Sequence, residues 1–321
     1  MLPLPDRLVR GAHSRSSLRA AHVSVRELSG GLWRRPYHGR YAWSATDEAS
    51  PAQRIAEAAS VLPPGGALSG WAAAYSQGVT DLDGRRWDGS ALPVLMALPY
   101  ERRVRRRGTA TIRAPLADAD LVEIGGVVMT SPVRSCFDEM RCSGLEDAVV
   151  AIDAVLRAQI ADMGSIDEYV AEHRAWKGVP IARRAVLLAD ERARSCPESR
   201  LRVLWVVEAG IARPAVNVPV YGPSGLMLGI PDVLDLETGL VGEYDGADHR
   251  ALRRHTDDNA REERLEAHGL TVVRMTSIDL MYRRQRTIAR VRDGYRRALG
   301  RDRRWDRWSI EPPETPWPME Y

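Results

Sequence analysis

The sequence predicts an α/β protein: a mixed sheet flanked by helices towards the C-terminus, preceded by an α+β middle region and a small N-terminal part of short helices and a hairpin. Three observations carry this. Between Ser195 and Met275 the elements read helix, strand, strand, strand, helix, strand, an order that gives a mixed sheet covered by helices. From about residue 51 to 190, amphipathic helices alternate with short apolar strands. In the first 45 residues, two short capped helices lead into an alternating apolar and basic run. With 321 residues the chain accommodates roughly two or three domains. We divide it into 1–45, 46–190, 191–300 and a tail, 301–321.

In order, Ser14 to Ala21 is a first helix with Leu18 inward, and His22-Val23-Ser24 is a turn whose serine caps a second helix, Val25 to Leu28, ended by Gly30-Gly31. Leu32 to Trp43 then alternates about a His38-Gly39 turn. Two helices and a basic, aromatic wing describe a winged helix-turn-helix, with Arg19, Arg26, Arg34 and Arg35 as candidate phosphate contacts. The other reading is a small protein-interaction or dimerisation module. This stretch also resembles the N-terminal domain of type IV, abortive-infection antitoxins.

In the middle region, Pro51 to Ala59 is a helix stopped by Pro63-Pro64-Gly65-Gly66, and Ser69 caps a second helix that carries Trp71 and Tyr75 and closes at Gly78. Trp71 and Tyr75, one turn apart, read as core rather than as a base-stacking platform. Residues 92–98, 109–112 and 127–129 read as strands. Thr130-Ser131-Pro132 opens a helix carrying Val133, Phe137 and Met140, and further helices are expected at 145–156, 166–173 and 180–194. Asp138 and Asp153 read as helix-face or capping acids. A nucleotide-binding glycine loop, a serine-nucleophile elbow and a zinc pattern are all missing here, which leaves scaffolding and substrate positioning.

The chemistry concentrates further on. Leu226 to Leu236 and Leu240 to Tyr244 are apolar-rich strands about a Glu237-Thr238-Gly239 turn. Such a hairpin sets Asp232 and Glu243 on neighbouring strands, where two carboxylates repel unless a cation settles between them or one is protonated. Asp-Gly and Pro-Asp pairs are also ordinary turn chemistry. Upstream, Ser195, Pro197 and Glu198 form a helix start, so Glu198 either caps that helix or faces a metal. Downstream, Asp257, Asp258, Arg261, Arg264 and Leu265 lie at helical spacing, His268-Gly269 stops the helix, and Leu270 to Met275 is a strand.

These residues resemble the restriction-endonuclease-like superfamily written PD-(D/E)xK, most nearly the branch of uncharacterised bacterial proteins related to the very-short-patch-repair endonuclease. Its pattern falls here on Glu198, Ser199, Arg202, Asp232, Glu243, Asp245, His249, Asp258, Arg261 and Arg274. The resemblance covers about Ser195 to Arg290. It implies divalent-metal hydrolysis of DNA phosphodiester bonds, with Asp232 and Glu243 as ligands to Mg2+ or Mn2+ and Glu198 as a further acidic helper. Arg202, Arg261 and Arg274 become phosphate contacts, although Arg274 could equally pair with one of the acids. The superfamily's usual lysine is replaced by Asp245, and the chain's single lysine, Lys177, is far upstream. His249 is then the best acceptor for a proton, with Asp245 as another ligand or its orienting partner. The alternative is a non-catalytic DNA-binding antitoxin or regulator that keeps the fold, with a toxin or other protein as partner, or a homodimer.

Composition sets outer limits. An apolar fraction of 44% is enough for a core. No apolar run approaches the ~20 residues that span a bilayer, and the N-terminus lacks signal-peptide character. Cys136, Cys142 and Cys196, without metal spacing, suggest free thiols in a reducing cytoplasm. The net charge is +3, but arginines cluster at 102–107 and 283–304, where they permit phosphate binding. The tail from about Gly300, rich in Arg, Trp and Pro, either packs on the body or binds a partner.

Overall fold

A computed structural model describes residues 10–246 and 261–313. The chain forms two compact units, Met1–Gly144 with Ala154–Val186, and Leu145–Asp153 with Leu187–Tyr321. Both are mixed α/β, with parallel and antiparallel pairings in one sheet. Among the described residues no helix is long and apolar enough to cross a membrane.

The first unit begins with strand β1 (His13–Ser14), helices α1 (Arg15–Ala20) and α2 (Val25–Leu28), and strands β2 (Trp33–Tyr37) and β3 (Arg40–Trp43), the strands ordered β1-β3-β2. Ser14 accepts from the Ser17 amide, and Ser24 and Glu27 form a reciprocal capping box. Leu18 is fully buried, and Trp33 meets Trp43 edge to face. Gly39 takes a φ of +71°, a turn conformation that its lack of a Cβ permits.

Helix α3 (Pro51–Ala59) and α4 (Trp71–Ser76) pack on a five-stranded sheet made of β4 (Ala67–Ser69), β5 (Val94–Leu98), β6 (Thr109–Arg113), β7 (Leu121–Ile124) and β8 (Val127–Thr130), in the order β6-β5-β4-β8-β7. Trp71 belongs to this core and donates from its indole to the Pro93 carbonyl at 2.8 Å. Ser69 does not cap α4: it lies in β4 and its hydroxyl donates to Asp138. Gly70, at a φ of +58°, is the cap residue, and the Glu139 carboxylate accepts the Trp71 amide from across the unit at 2.8 Å. Helices α5 (Pro132–Cys142), α6 (Leu145–Arg157), α7 (Met163–Glu172) and α8 (Val179–Leu188) follow, the last ending well short of residue 194. Asp138 is buried between Arg134 and Arg141, a structural hub rather than a capping acid.

In the second unit, α9 (Cys196–Val203) runs into a wider π-helical turn, Leu204–Glu208, that buries Trp205 completely. Strands β9 (Ala215–Val216), β10 (Val220–Tyr221), β11 (Met227–Gly229), β12 (Val233–Asp235), β13 (Leu240–Asp245) and β14 (Thr271–Thr276) follow, with residues 261–267 helical between the last two. The run from Leu226 to Leu236 is therefore two strands, because Pro231 has no N–H to donate and the chain changes partners there. β11 pairs with β10, whereas β12 joins a four-stranded sheet ordered β14-β13-β12-β9. β13 is antiparallel to β12 and parallel to β14. Helices α10 (Ser277–Tyr282) and α11 (Arg284–Leu299) close one face of this sheet, where Ile288 and Val291 of α11 join the core of Val273 and Met275. The described part of the tail packs on this unit: Ser309 bridges to Tyr221, and Trp308 covers the cluster around Val220 and Leu234.

A candidate carboxylate site in the C-terminal unit

The β12–β13 hairpin aligns Val233 with Gly242, and one step further the antiparallel register sets Asp232 across from Glu243. The Tyr244 amide donates to Asp232 Oδ2 at 2.6 Å and fixes that side chain against β13. Burial, foremost, pushes the Asp232 carboxyl up to about 7; the Tyr244 amide resists this, the charges of Glu198 and Glu243 reinforce it, and Arg261 opposes it. Glu243 is only 5% exposed, and burial raises its carboxyl too, against the pull of Arg261 and Arg274.

The two oxygens of Glu243 have different surroundings. Oε2 accepts from Arg261 at 2.8 Å and has Arg274 Nε at 3.9 Å, whereas Oε1 is buried with no hydrogen-bond partner among the described residues. Arg274 stands beside Glu243 by parallel register and pairs more closely with Glu262, at 2.9 Å. Both arginines are thus engaged with acids. Asp245 ends β13 and, two residues on, lies on the same strand face as Glu243. His249 and Asp258 lie outside the described residues.

Glu198 takes the capping role. Its Oε1 accepts from the Ser195 hydroxyl at 2.8 Å, and its Oε2 accepts from the Arg194 amide at 2.8 Å and from Asn217 Nδ2 at 2.7 Å. With both oxygens engaged, it serves as a fixed negative charge beside Asp232. Asn217 was missed in the sequence reading; at a φ of 48° it also donates its amide to the Asp232 carbonyl at 3.2 Å, linking the two acids. An Asn tolerating the left-handed region between two short strands was the available signal.

Arg202 corrects the reading of it as a phosphate contact. It is 1% exposed, ion-paired with Asp153 and bonded to the Leu188 carbonyl, so its charge is satisfied inside the protein. Asp153 likewise is a buried anchor: burial pushes its carboxyl up, while Arg202, Ser199 and the Asp190 amide pull it down. The Glu-Ser-x-x-Arg pattern is, in this fold, a staple that fastens α9 to α6. Arg34, in the first unit, is ion-paired with Glu57 and lies 3.7 Å from Glu48, which leaves little of it for a phosphate. Arg35 is exposed and sits over the Tyr41 ring at 5.1 Å. Many arginines of the 283–304 run are also engaged: Arg284 with Glu146 and Glu208, Arg290 with Asp279, Arg301 and Arg303 with Asp306.

Among the described residues no group of three or more His, Cys, Asp or Glu is gathered tightly enough to hold a metal ion by itself. The site is a two-carboxylate arrangement with a third acid behind it.

No family model matches the chain, and no solved structure matches it. The chain is 28% identical over 174 residues to two uncharacterized proteins of Mycobacterium tuberculosis, from strains CDC 1551/Oshkosh and ATCC 25618/H37Rv. The match takes in 54% of this chain and 64% of each relative, just under two thirds of their length.

Proposed function

We propose that the C-terminal unit is a restriction-endonuclease-like, divalent-metal-dependent nuclease that hydrolyses DNA phosphodiester bonds, with Asp232 and Glu243 as the pair that would hold Mg2+ or Mn2+. One observation carries this: a buried Glu243 oxygen without a partner among the described residues, beside an aspartate whose carboxyl is pushed up to about 7 by burial. Two carboxylates fit Mg2+, which commonly takes one or two from the protein and the rest of its shell from water and substrate phosphate. When bound, such an ion polarises the phosphoryl oxygens and lowers the pKa of a water.

The chain's own residues do the rest. Arg261 grips Glu243 Oε2, which orients the carboxylate with Oε1 left over. Asn217 and Tyr244 fix Asp232 from its backbone and side chain. Asp245, on the same strand face, is a further acid at the end of β13, and His249 is proposed as proton acceptor on the sequence reading alone. The N-terminal helices and β2–β3 hairpin support a winged-helix-like DNA-binding role, with the exposed Arg19, Arg26 and Arg35 as phosphate contacts.

A second reading is favoured by the engagement of Glu243 Oε2 with Arg261 and Arg274: a sheet body that binds DNA without cutting it, as an antitoxin or regulator would. Incubation with single-stranded, duplex and mismatched DNA, and with RNA, under Mg2+, Mn2+ or EDTA separates the two. We expect metal-dependent DNA cleavage that Asp232→Ala and Glu243→Ala each abolish; cleavage unchanged in both variants would sink the assignment.

A further inference from the structure

The first unit holds a cavity of about 450 Å³ between the β2–β3 hairpin, α3 and the loop before β6. Its wall carries four arginines, Arg34, Arg35, Arg54 and Arg107, against two acids, Glu48 and Glu57, an excess of two positive charges. The arginines are not equally engaged. Arg54 donates to the Gly84 and Leu92 carbonyls and stacks over Trp71, so it belongs to the framework. Arg34 is tied to Glu57 through its terminal nitrogen, has Glu48 at 3.7 Å and buries its Nε, so it too belongs to the framework. Arg35 lies over the Tyr41 ring, and it and Arg107 are exposed without an ion pair among the described residues.

The rest of the wall narrows the ligand. A cavity this size is far larger than an inorganic anion needs and falls in the range, roughly 300–1,000 Å³, of small-molecule sites. Tyr37, Pro36, Ala91 and Val94 give it an apolar and aromatic side, and Glu48 and Glu57 supply acceptors for N–H or O–H groups. Arg102, Arg103, Arg105 and Arg106, exposed on the loop that leads to Arg107, add positive field at its rim. We infer that this cavity binds a phosphomonoester on a nucleoside-sized organic group, a nucleoside monophosphate or the phosphorylated end of a strand, with Arg35 and Arg107 on the phosphate and the Tyr37 side on the organic group. This is separate from the carboxylate site and does not depend on cleavage there.

Calorimetric titration of the full chain at low salt tests it, with the four ribonucleoside 5′-monophosphates, the matching nucleosides, inorganic phosphate, and oligonucleotides with a 5′-phosphate or a 5′-hydroxyl. The expected result is binding of at least one monophosphate, none of its nucleoside, and binding weaker by about tenfold or more in each of Arg35→Ala and Arg107→Ala. Asp232→Asn should leave it unchanged, so loss of the nuclease reading would not touch this one. A 5′-phosphorylated oligonucleotide that binds more tightly than its hydroxyl counterpart and than any mononucleotide supports the site and identifies a strand end as the source. The inference is overturned if no monophosphate or phosphorylated oligonucleotide binds, if inorganic phosphate binds as tightly, or if both arginine variants bind as the parent does.

Discussion

Asp232 carries a pH dependence whose sign follows from its surroundings. Its folded carboxyl is raised from 3.8 to about 7, chiefly by burial, so the unfolded chain ionises first and the folded state keeps its proton longer. Below pH 4 the group costs nothing; from there to about 7 its contribution turns progressively against folding, at about 1.4 kcal/mol per pH unit, and above 7 it stays constant. Asp232→Asn keeps an acceptor for the Tyr244 amide and removes the charge. We expect its melting temperature to exceed the parent's by several degrees at pH 8 and to match it near pH 4; equal melting at both pH values would show that Asp232 is no buried, raised carboxylate. Asp153 offers the opposite case. Its removal strands the Arg202 charge in the interior, so Asp153→Ala should cost about 3–5 kcal/mol in urea unfolding, as breaking a buried pair does. Residue-level legibility followed distance along the chain. The cap of Glu198 by Ser195, three positions apart, was readable as one of two options, whereas Arg202's partner lies 49 residues upstream, and no local pattern could reveal it.

At the scale of elements, the hairpin that matters was legible from its turn residues and apolar flanks, but not the break that precedes it. A continuous apolar run from Leu226 to Leu236 looks like one strand until partners are assigned, and Pro231 marks where the ladder changes. Helix α11 teaches the same lesson: its run of arginines permits phosphate binding, yet two of them, Arg284 and Arg290, are taken up by Glu208, Glu146 and Asp279. Such partners come from other elements, and a run of like charge cannot announce them. Gly242 shows how closely β13 is packed under the site. A Cβ there would lie 2.7 Å from Val233 Cγ2 and 2.9 Å from the Trp205 ring, neither of which can retreat within a full core. Gly242→Ala should therefore destabilise the unit by about 1–3 kcal/mol and, because Glu243 is the next residue, reduce cleavage beyond the loss of folded protein. Measuring activity per folded molecule distinguishes the two effects; unchanged stability would mean that the strand has room the packing does not show.

For the whole molecule, the mixed α/β class followed from the order of elements, while the partition of the chain did not. A boundary at 190–191 is natural in sequence, since a helix start follows it, yet residues 145–153 associate with the C-terminal unit. That segment supplies Glu146 and Asp147 to Arg200 and Asp153 to Arg202. A fragment of residues 191–321 would thus leave a nearly fully buried guanidinium without its counter-ion and a second without either of its acids, on a helix that also positions Glu198. Each uncompensated buried charge is worth several kcal/mol, comparable to the ~5–15 kcal/mol that holds an entire domain. We expect the 191–321 fragment to lose cooperative unfolding and any metal-dependent cleavage, and a 145–321 fragment to keep both, even though it carries residues 154–186 away from the unit they belong to. Urea titrations followed by tryptophan fluorescence, with Trp205 reporting from the core beneath β13, would read the difference directly. Equal cooperativity in the two fragments would mean that the segment preceding residue 154 is an accessory to this unit and not part of what folds it.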